Sequence, residues 1–460
     1  MNITTQKKAW SIITEKRFYT NIMILAIPII LQQFLRVSVD TADSIMLGSI
    51  DQIHMTAVSQ AQQIFFIFYT LCHGFAAGCS VLIAQYWGKQ AKEEIKTLFA
   101  IGIKSISIFS ILVSVFVMFY PNIFMRIYSN DLEIITLGSS YLRIASCMYL
   151  PCAISTMLFA CCRGIEQVGI SFYANAISYP LNILFDYCFI FGKFGLPKMG
   201  INGAALGAVI ARLIEFLILV GYVFFKEKNI GLKFKDLLRR DKKLSKDYYW
   251  ISTPIIAHEL IWSTGTTAGS AITGQMGTMV VGGYNVANVL NQLVTCVMNG
   301  TLHACSVTMG KAIGSGESKK EIKRQANSML AIGFIGGMVI GILTLAVSIP
   351  FISLYHLSTE ARTYAKWFVL IFAMIWPFSG MEMTGLIATL RAGGDGKTGF
   401  IADIFTMWMI TIPLASLGAF VFHWSPIVVI AIIKFNIVLE ALVGILRIRS
   451  MKWIRDLTSE

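Results

Sequence analysis

Apolar residues in this chain come in long runs separated by short polar turns. Runs long enough to cross hydrocarbon lie at roughly 20–41, 57–86, 97–120, 138–161, 170–192, 203–225, 249–272, 279–311, 327–350, 363–390, 399–422 and 427–447, twelve in all. A helix needs about 20 apolar residues to span about 30 Å of hydrocarbon. Several runs exceed that length, which predicts tilted or bent helices. None alternates with a period of two, so helices are expected rather than a barrel. The pattern predicts an all-α polytopic membrane protein with twelve transmembrane helices in two pseudo-symmetric six-helix bundles. Residues 1–225 form the expected N-lobe with helices 1–6, 226–247 a basic cytoplasmic linker, and 248–460 the C-lobe with helices 7–12 and a short cytoplasmic tail.

The two halves repeat one another. LAIPIILQQFLRVSVDTADSIMLG around Pro28 corresponds to ISTPIIAHELIWSTGTTAGSAITG around Pro254. Each copy continues to a glycine, Gly88 or Gly314, and into a basic turn, GKQAKEEIK or GSGESKKEIK. Arg163 in CCRGIEQ has its counterpart at Arg391 in LRAGGDG. Two such repeats in a membrane protein point to a central path opened alternately to either side, and hence to a transporter.

Composition agrees with a membrane location: 56% of residues are hydrophobic and only 14% charged. The net charge of +13 at first suggests nucleic acid. Its placement argues for a membrane face instead. Lys and Arg gather in the N-terminal tail (Lys7, Lys8, Lys16, Arg17), after helix 2 (Lys89, Lys92, Lys96) and in the linker. They gather again after helix 8 (Lys311, Lys319, Lys320, Lys323, Arg324) and at the C-terminal end (Arg447, Arg449, Lys452, Arg455). All fall on one side of a twelve-helix count, which predicts that both termini are cytoplasmic and that this face attracts anionic membrane lipid. No small-residue cleavage site follows the first run, so helix 1 is expected to remain as a span. The nine cysteines show no CxxC or zinc-like spacing and read as small packing residues.

Charge at the membrane centre costs at least about 2.5–3.5 kcal/mol, which makes intramembrane acids functional candidates. Helix 1 holds Gln32, Gln33, Arg36, Asp40 and Asp43. Gln33, Arg36 and Asp40 share one helical face, expected to look inward, and Arg36 and Asp40 can pair as i, i+4 neighbours. Asp43 lacks such a partner in its own helix. It is either a cation-binding carboxyl or a solvated acid at the outer helix end. Helix 5 carries Asn175, Asn182 and Asp186, oxygen donors of the kind hard cations want, and with Asp43 they can form one buried site. In the second half, Glu259, Glu382 and Asp403 lie in or near spans, without the repeat of Asp43, which aligns with Gly269. His258 beside Glu259 is no metal motif, because no HExxH follows; core hydrogen bonding is the competing role. Pro28 and Pro254 occupy matching places and bend their helices, either as fixed kinks or as joints that straighten on ion binding. GGDGKTG falls short of a phosphate-binding loop, since Arg391 stands where glycine is required. An ion gradient rather than nucleotide hydrolysis is therefore expected to drive transport, with no cofactor beyond the coupling proton or sodium ion.

In order and spacing, several stretches resemble the multidrug and toxic compound extrusion (MATE) family. They are the helix-1 proline followed by DSIMLG at 43–48, VLIAQYWGK at 81–89 and NILFDYCFIFG at 182–192. GINGAALGA at 200–208, LRAGGDGK at 390–397 and the tail KWIRDLT at 452–458 complete the set, so the resemblance runs from about 18 to 457. It implies two six-helix lobes exporting organic compounds against inflow of protons or sodium. It also implies that Asp43, Asn182 and Asp186 form the N-lobe cation site, with sodium as one occupant and Pro28 as the helix-1 bend. Gln33, Arg36, Asp40 and Asn175 would support that site. The chain departs from many members at Ala208, where they carry a threonine. Glu259 and Glu382 stand near, though not squarely on, acids used by sodium-coupled members.

The expected function is a secondary active multidrug efflux antiporter of the bacterial inner membrane, acting as a monomer on small organic compounds, often cationic or aromatic. A flippase for a lipid-linked sugar on a related fold is the alternative, kept open by Arg36, Arg143, Arg212 and Lys434 within spans. An enzyme would need a nucleophile–base or metal constellation, and the scattered His54, His73, His258, His303, His356 and His423 offer none.

Overall fold

The computed structural model describes residues 11–49, 51–355 and 357–458. His356, Lys7 and Lys8 lie outside the described residues. Twelve long helical rods follow one another: α1 (Lys16–Gly48), α2 (Gln52–Gly88), α3 (Lys92–Phe119), α4 (Leu132–Gly164), α5 (Gly169–Phe191) and α6 (Ile201–Lys226). Then come α7 (Lys242–Gln275), α8 (Thr278–Gly314), α9 (Lys319–Ser353), α10 (Thr359–Leu390), α11 (Gly396–Phe420) and α12 (Pro426–Ser450). A short helix, Pro121–Tyr128, joins α3 to α4. Among the described residues there is no strand.

Among the described residues, nine of the rods are long and apolar enough to cross a membrane. The remaining three, α5, α7 and α8, carry polar residues along their length, among them Asn175, Asn182 and Asp186 on α5 and His258 and Glu259 on α7. Their lower hydropathy reflects chemistry inside the bundles. Prolines lie within α1 (Pro28), α5 (Pro180), α7 (Pro254), α9 (Pro350) and α10 (Pro377). Wide π-turns at Glu382–Leu390 and Ile404–Thr411 begin at or next to two of the buried acids, a placement common near functional residues.

The chain forms two compact units. The N-unit contains Leu31–Ile83 and Lys92–Ser252, and the C-unit contains Met1–Ile30, Ala84–Ala91 and Thr253–Glu460. The linker thus belongs with the N-unit, whereas the first part of α1 and the end of α2 belong with the C-unit.

In the N-unit, α5 lies against α6 and α3 against α4. Phe68 stacks on Tyr149 and Phe109, with centroids 4.5 and 5.8 Å apart. The linker is pinned to α3 by Arg239, whose guanidinium meets Glu93 at 2.6 Å and Asp236 at 2.9 Å while its carbonyl accepts from Lys104 at 2.8 Å.

In the C-unit, α9 meets α10 through Gly333, Gly337 and Gly341, spaced one helical turn apart. A Cβ on Gly337 would come within 2.8 Å of Pro377 Cα, and one on Gly341 within 2.5 Å of Ala373 O, so small residues let these backbones touch. The end of α2 nests against α8 in the same way, a Cβ on Gly314 falling 2.6 Å from Gln85 Cα. The C-terminal tail is tied down here too. Trp453 is fully buried and donates to Ile448 O at 3.1 Å. Gln85 donates to Ala392 O at 2.7 Å and accepts from Leu457 N at 2.9 Å.

Candidate functional site

Among the described residues, each unit holds a cluster of buried polar groups. The first is built on α5. Asn175, the adjacent Ser178 and Tyr179, Asn182 and Asp186 come about once per helical turn and are all buried, forming one face of the helix. Asn182 Nδ2 donates to Asp186 Oδ2 at 3.0 Å. Asp43, on the second part of α1, faces Asp186 within hydrogen-bonding reach. Asp43 Oδ1 and Asp186 Oδ1 are nevertheless buried without a donor. Tyr141 on α4 lies alongside both acids, and Gly207 on α6 opens the space that the Asp186 carboxyl fills. Asn175 is fully buried with neither side-chain polar atom bonded.

Two arginines of this unit, Arg212 and Arg36, are committed elsewhere. Arg212 Nη1 meets Glu215 at 2.7 Å and its guanidinium lies 5.6 Å from the Tyr179 ring. Arg36 lies over Tyr69 at 4.5 Å and is 3.9 Å from Asp40. Asp40 departs from expectation. Its side chain is 66% exposed, so the face of Gln33, Arg36 and Asp40 does not look inward as a whole; Gln33 and Arg36 are half-buried. Asp43, three residues on, takes the inward position instead. Among the described residues, no ion pair reaches Asp43 or Asp186, and Arg36 and Arg212 are paired with other acids.

The second cluster lies in the C-unit. Arg391 reaches back to α7 with both arms, Nη1 to Glu259 Oε1 at 2.9 Å and Nη2 to His258 Nδ1 at 2.7 Å. His258 Nε2 is 3.4 Å from Asp403 Oδ2. Glu382 and Asp403 are buried, as is Glu440 on α12, which accepts from Thr406 at 2.9 Å and Asn436 at 3.1 Å. The structure therefore gathers Glu259, Glu382 and Asp403 into one region. Glu440 was not anticipated, although an acid inside the apolar run of α12 is itself a signal. Arg391 was anticipated only as the counterpart of Arg163. Among the described residues, no group of three or more His, Cys, Asp or Glu is arranged to hold a metal ion.

Comparison with known proteins agrees with this architecture. The chain is 26% identical over 407 residues to the "Probable multidrug resistance protein NorM" of Agrobacterium fabrum, covering 86% of each chain. It is 21% identical to the multidrug resistance protein MdtK of Yersinia enterocolitica, covering 85% of this chain and 86% of that one. Its fold matches a crystal structure of MATE in complex with MaL6 at a TM-score of 0.85, with 17% identity, covering 98% of this chain and 100% of the other. A MOP superfamily transporter from Pyrococcus furiosus matches at 0.84 with 18% identity, covering 94% and 96%. The profile of the MatE family matches residues 28–188 and 254–417, one stretch in each half of the sequence repeat. A multi-pass membrane chain with a repeated six-helix plan and that match over most of its length belongs to the MatE family.

Proposed function

We propose that this protein is a secondary active multidrug efflux antiporter. It exports organic compounds, often cationic or aromatic, in exchange for protons or sodium ions by alternating access, with both termini in the cytoplasm. The observation that carries the reading is the Asp43–Asp186 pair, each with its Oδ1 buried. Two carboxyls in mutual contact, steadied by Asn182 and left without a cation, form a site that is complete only when it holds a positive ion. An ion taken up from one side and given up to the other can drive a two-state bundle, provided it binds the two states unequally. The names of the NorM and MdtK relatives support organic drugs as the exported cargo.

Three of the four cationic side chains that would favour a lipid-linked sugar diphosphate are already engaged. Arg36 sits on Tyr69, Arg212 on Glu215, and Lys434 lies 5.1 Å from the Phe372 ring centroid. The test is export of a fluorescent organic cation from proteoliposomes under an imposed proton or sodium gradient. The reading expects flux that follows one of the two gradients and is lost in Asp43→Asn. Equal flux in the presence and absence of both gradients would refute ion coupling.

A further inference from the structure

The basic stretches of this chain are not alike. After α8, Arg324 is paired with Glu321 at 2.9 Å. Near the C-terminal end, Arg447 is paired with Asp395 at 2.6 Å, and Asp456 with Lys89 at 3.4 Å. In the linker after α6 the acids are spent on the backbone instead. Glu227 accepts from the N–H groups of Asn229, Ile230 and Gly231 at 2.6, 3.0 and 3.2 Å. Asp236 accepts from the Lys233 N–H at 2.8 Å and from Arg239 at 2.9 Å, and Asp241 caps α7 through the Leu244 N–H at 2.9 Å. Lys226, Lys228, Lys233 and Lys235 are exposed, and among the described residues no ion pair reaches them.

Large apolar side chains stand among those lysines. Phe225 and Leu238 are 79% and 78% exposed, and Phe234 is 53% exposed. Phe225 alone would need no explanation, since it lies in the last turn of a span. Phe234 belongs to the linker, and its ring stacks on Phe224 of that same turn, with centroids 4.1 Å apart and planes 5° from parallel. Phe225 meets Phe234 edge-on at 6.0 Å. The linker is thereby folded back to the level at which α6 leaves the hydrocarbon. Its far end is fixed as well, by Arg239 on Glu93 and by Lys104 on the Arg239 carbonyl. A turn of helix, Phe234–Leu238, is thus held where headgroups meet acyl chains, with apolar groups and lysines exposed together.

That combination fits a lipid surface. Aromatic and aliphatic groups gain by entering the acyl edge of a leaflet, and lysines beside them gain from anionic headgroups. A soluble anion would engage the lysines and leave the apolar trio in water. An apolar protein partner would leave the lysines without counter-charge.

We propose that residues 225–240 form a membrane-interface anchor of the N-unit that binds anionic phospholipid. Phe225, Phe234 and Leu238 enter the leaflet, and Lys226, Lys228, Lys233 and Lys235 meet lipid phosphates. The proposal rests on α6 crossing the bilayer and is independent of the antiport reading.

Hydrogen–deuterium exchange of the full-length protein in nanodiscs tests it without any transport assay. Amides of residues 226–240 should exchange at least several-fold more slowly in phosphatidylcholine discs containing phosphatidylglycerol than in phosphatidylcholine alone. Residues 319–324, basic but without exposed large apolar side chains, should show no such difference. Combining Lys226→Gln, Lys228→Gln, Lys233→Gln and Lys235→Gln should abolish the slowing. Phe225→Gln with Leu238→Gln, which spares the Phe224–Phe234 stack, should reduce it at least twofold. All of these side chains are exposed, so the variants should unfold thermally like the wild type. Equal exchange in the two lipids would overturn the proposal, as would equal slowing at 319–324, which would reduce the effect to general attraction of basic segments. Slowing by inorganic phosphate in phosphatidylcholine discs would overturn it in favour of a free-anion site. Slowing that survives the Phe225 and Leu238 changes in full would mean attraction without insertion, and would overturn it too.

Discussion

The carboxyl of Asp186 occupies the space that a side chain on Gly207 would require. A Cβ there would overlap Asp186 Oδ1 and would also come within 3.0 Å of the Asp186 backbone nitrogen. Moving the carboxyl alone cannot relieve the second contact. Gly207→Ala should therefore separate α5 from α6 and displace Asp186 from Asp43, with a cost of about 1–3 kcal/mol from overpacking. Gradient-driven export should drop at least tenfold while thermal unfolding remains cooperative. Wild-type export from Gly207→Ala would show that the carboxyl need not sit where the structure places it.

Asp43→Asn and Asp186→Asn each leave one acid facing an amide that can donate to it. The cation is then no longer required, and the pair should lock closed. Both variants should bind a fluorescent organic cation yet export it at less than a tenth of the wild-type rate. Asp40→Asn, altering an exposed side chain, should retain most activity. A large loss in Asp40→Asn would place that acid in the coupling path.

Arg391 holds His258 and Glu259 together across the C-unit. Removing one partner of a buried ion pair costs about 3–5 kcal/mol, because the other charge is left unmatched. Arg391→Ala should fall in that range, as measured by thermal unfolding in detergent. Arg391→Lys should recover little, since one ammonium cannot serve two acceptors held at 2.7 and 2.9 Å in a planar fork.

The C-terminal tail should be released by changes far from it in sequence. Gln85→Leu leaves the Leu457 N–H and Ala392 carbonyl without their partner, at about 1–3 kcal/mol. Trp453→Ala empties a fully buried site, at about 3–5 kcal/mol. Limited proteolysis should cut after Met451 much faster in either variant than in the wild type.

The linker should loosen in acid. Burial would raise the carboxyl of Asp236, but the Lys233 N–H and the Arg239 guanidinium outweigh it, and the group ends below its ordinary value. An acid depressed on folding contributes stability above its unfolded value of about 3.9, and that contribution is lost as pH falls through the folded value. Protease access to the linker should rise in acid for the wild type. Asp236→Asn should give an accessible linker at neutral pH and a flatter acid response.

The helical plan was legible because a membrane demands long apolar runs and charged turns, and both are local properties of the sequence. Asp186 and Asn182 were legible because four-residue spacing puts them on one face wherever the helix packs. Asp43 stood out through its lack of a partner in α1. Which face of α1 turns inward was not legible: Asp40 and Asp43 are three apart, nearly on one face, and packing alone decides that Asp43 is covered and Asp40 exposed. The reach of Arg391 back to α7 is likewise tertiary, invisible to spacing. Glu440 is a different case. Its signal was present in NIVLE, inside an apolar run, and repeats the pattern of NILFD.

Ile30 and Leu31 are chain neighbours that belong to different compact units. The first part of α1 fits against α8, where a Cβ on Gly300 would come within 3.0 Å of Ala26 O and 3.1 Å of Ile30 N. Just before α1, the Ile13 N–H donates to Ser328 on α9 at 2.8 Å. A chain made from its N-terminus thus produces these residues long before the helices that receive them. Through the synthesis of the N-unit they must wait beside lipid or a chaperone, and the C-unit closes only when α8 and α9 arrive. A fragment ending at Ser252 would hold every segment of the N-unit and still carry a half-helix with nowhere to dock. Biogenesis, and not only transport, is written into the division of α1.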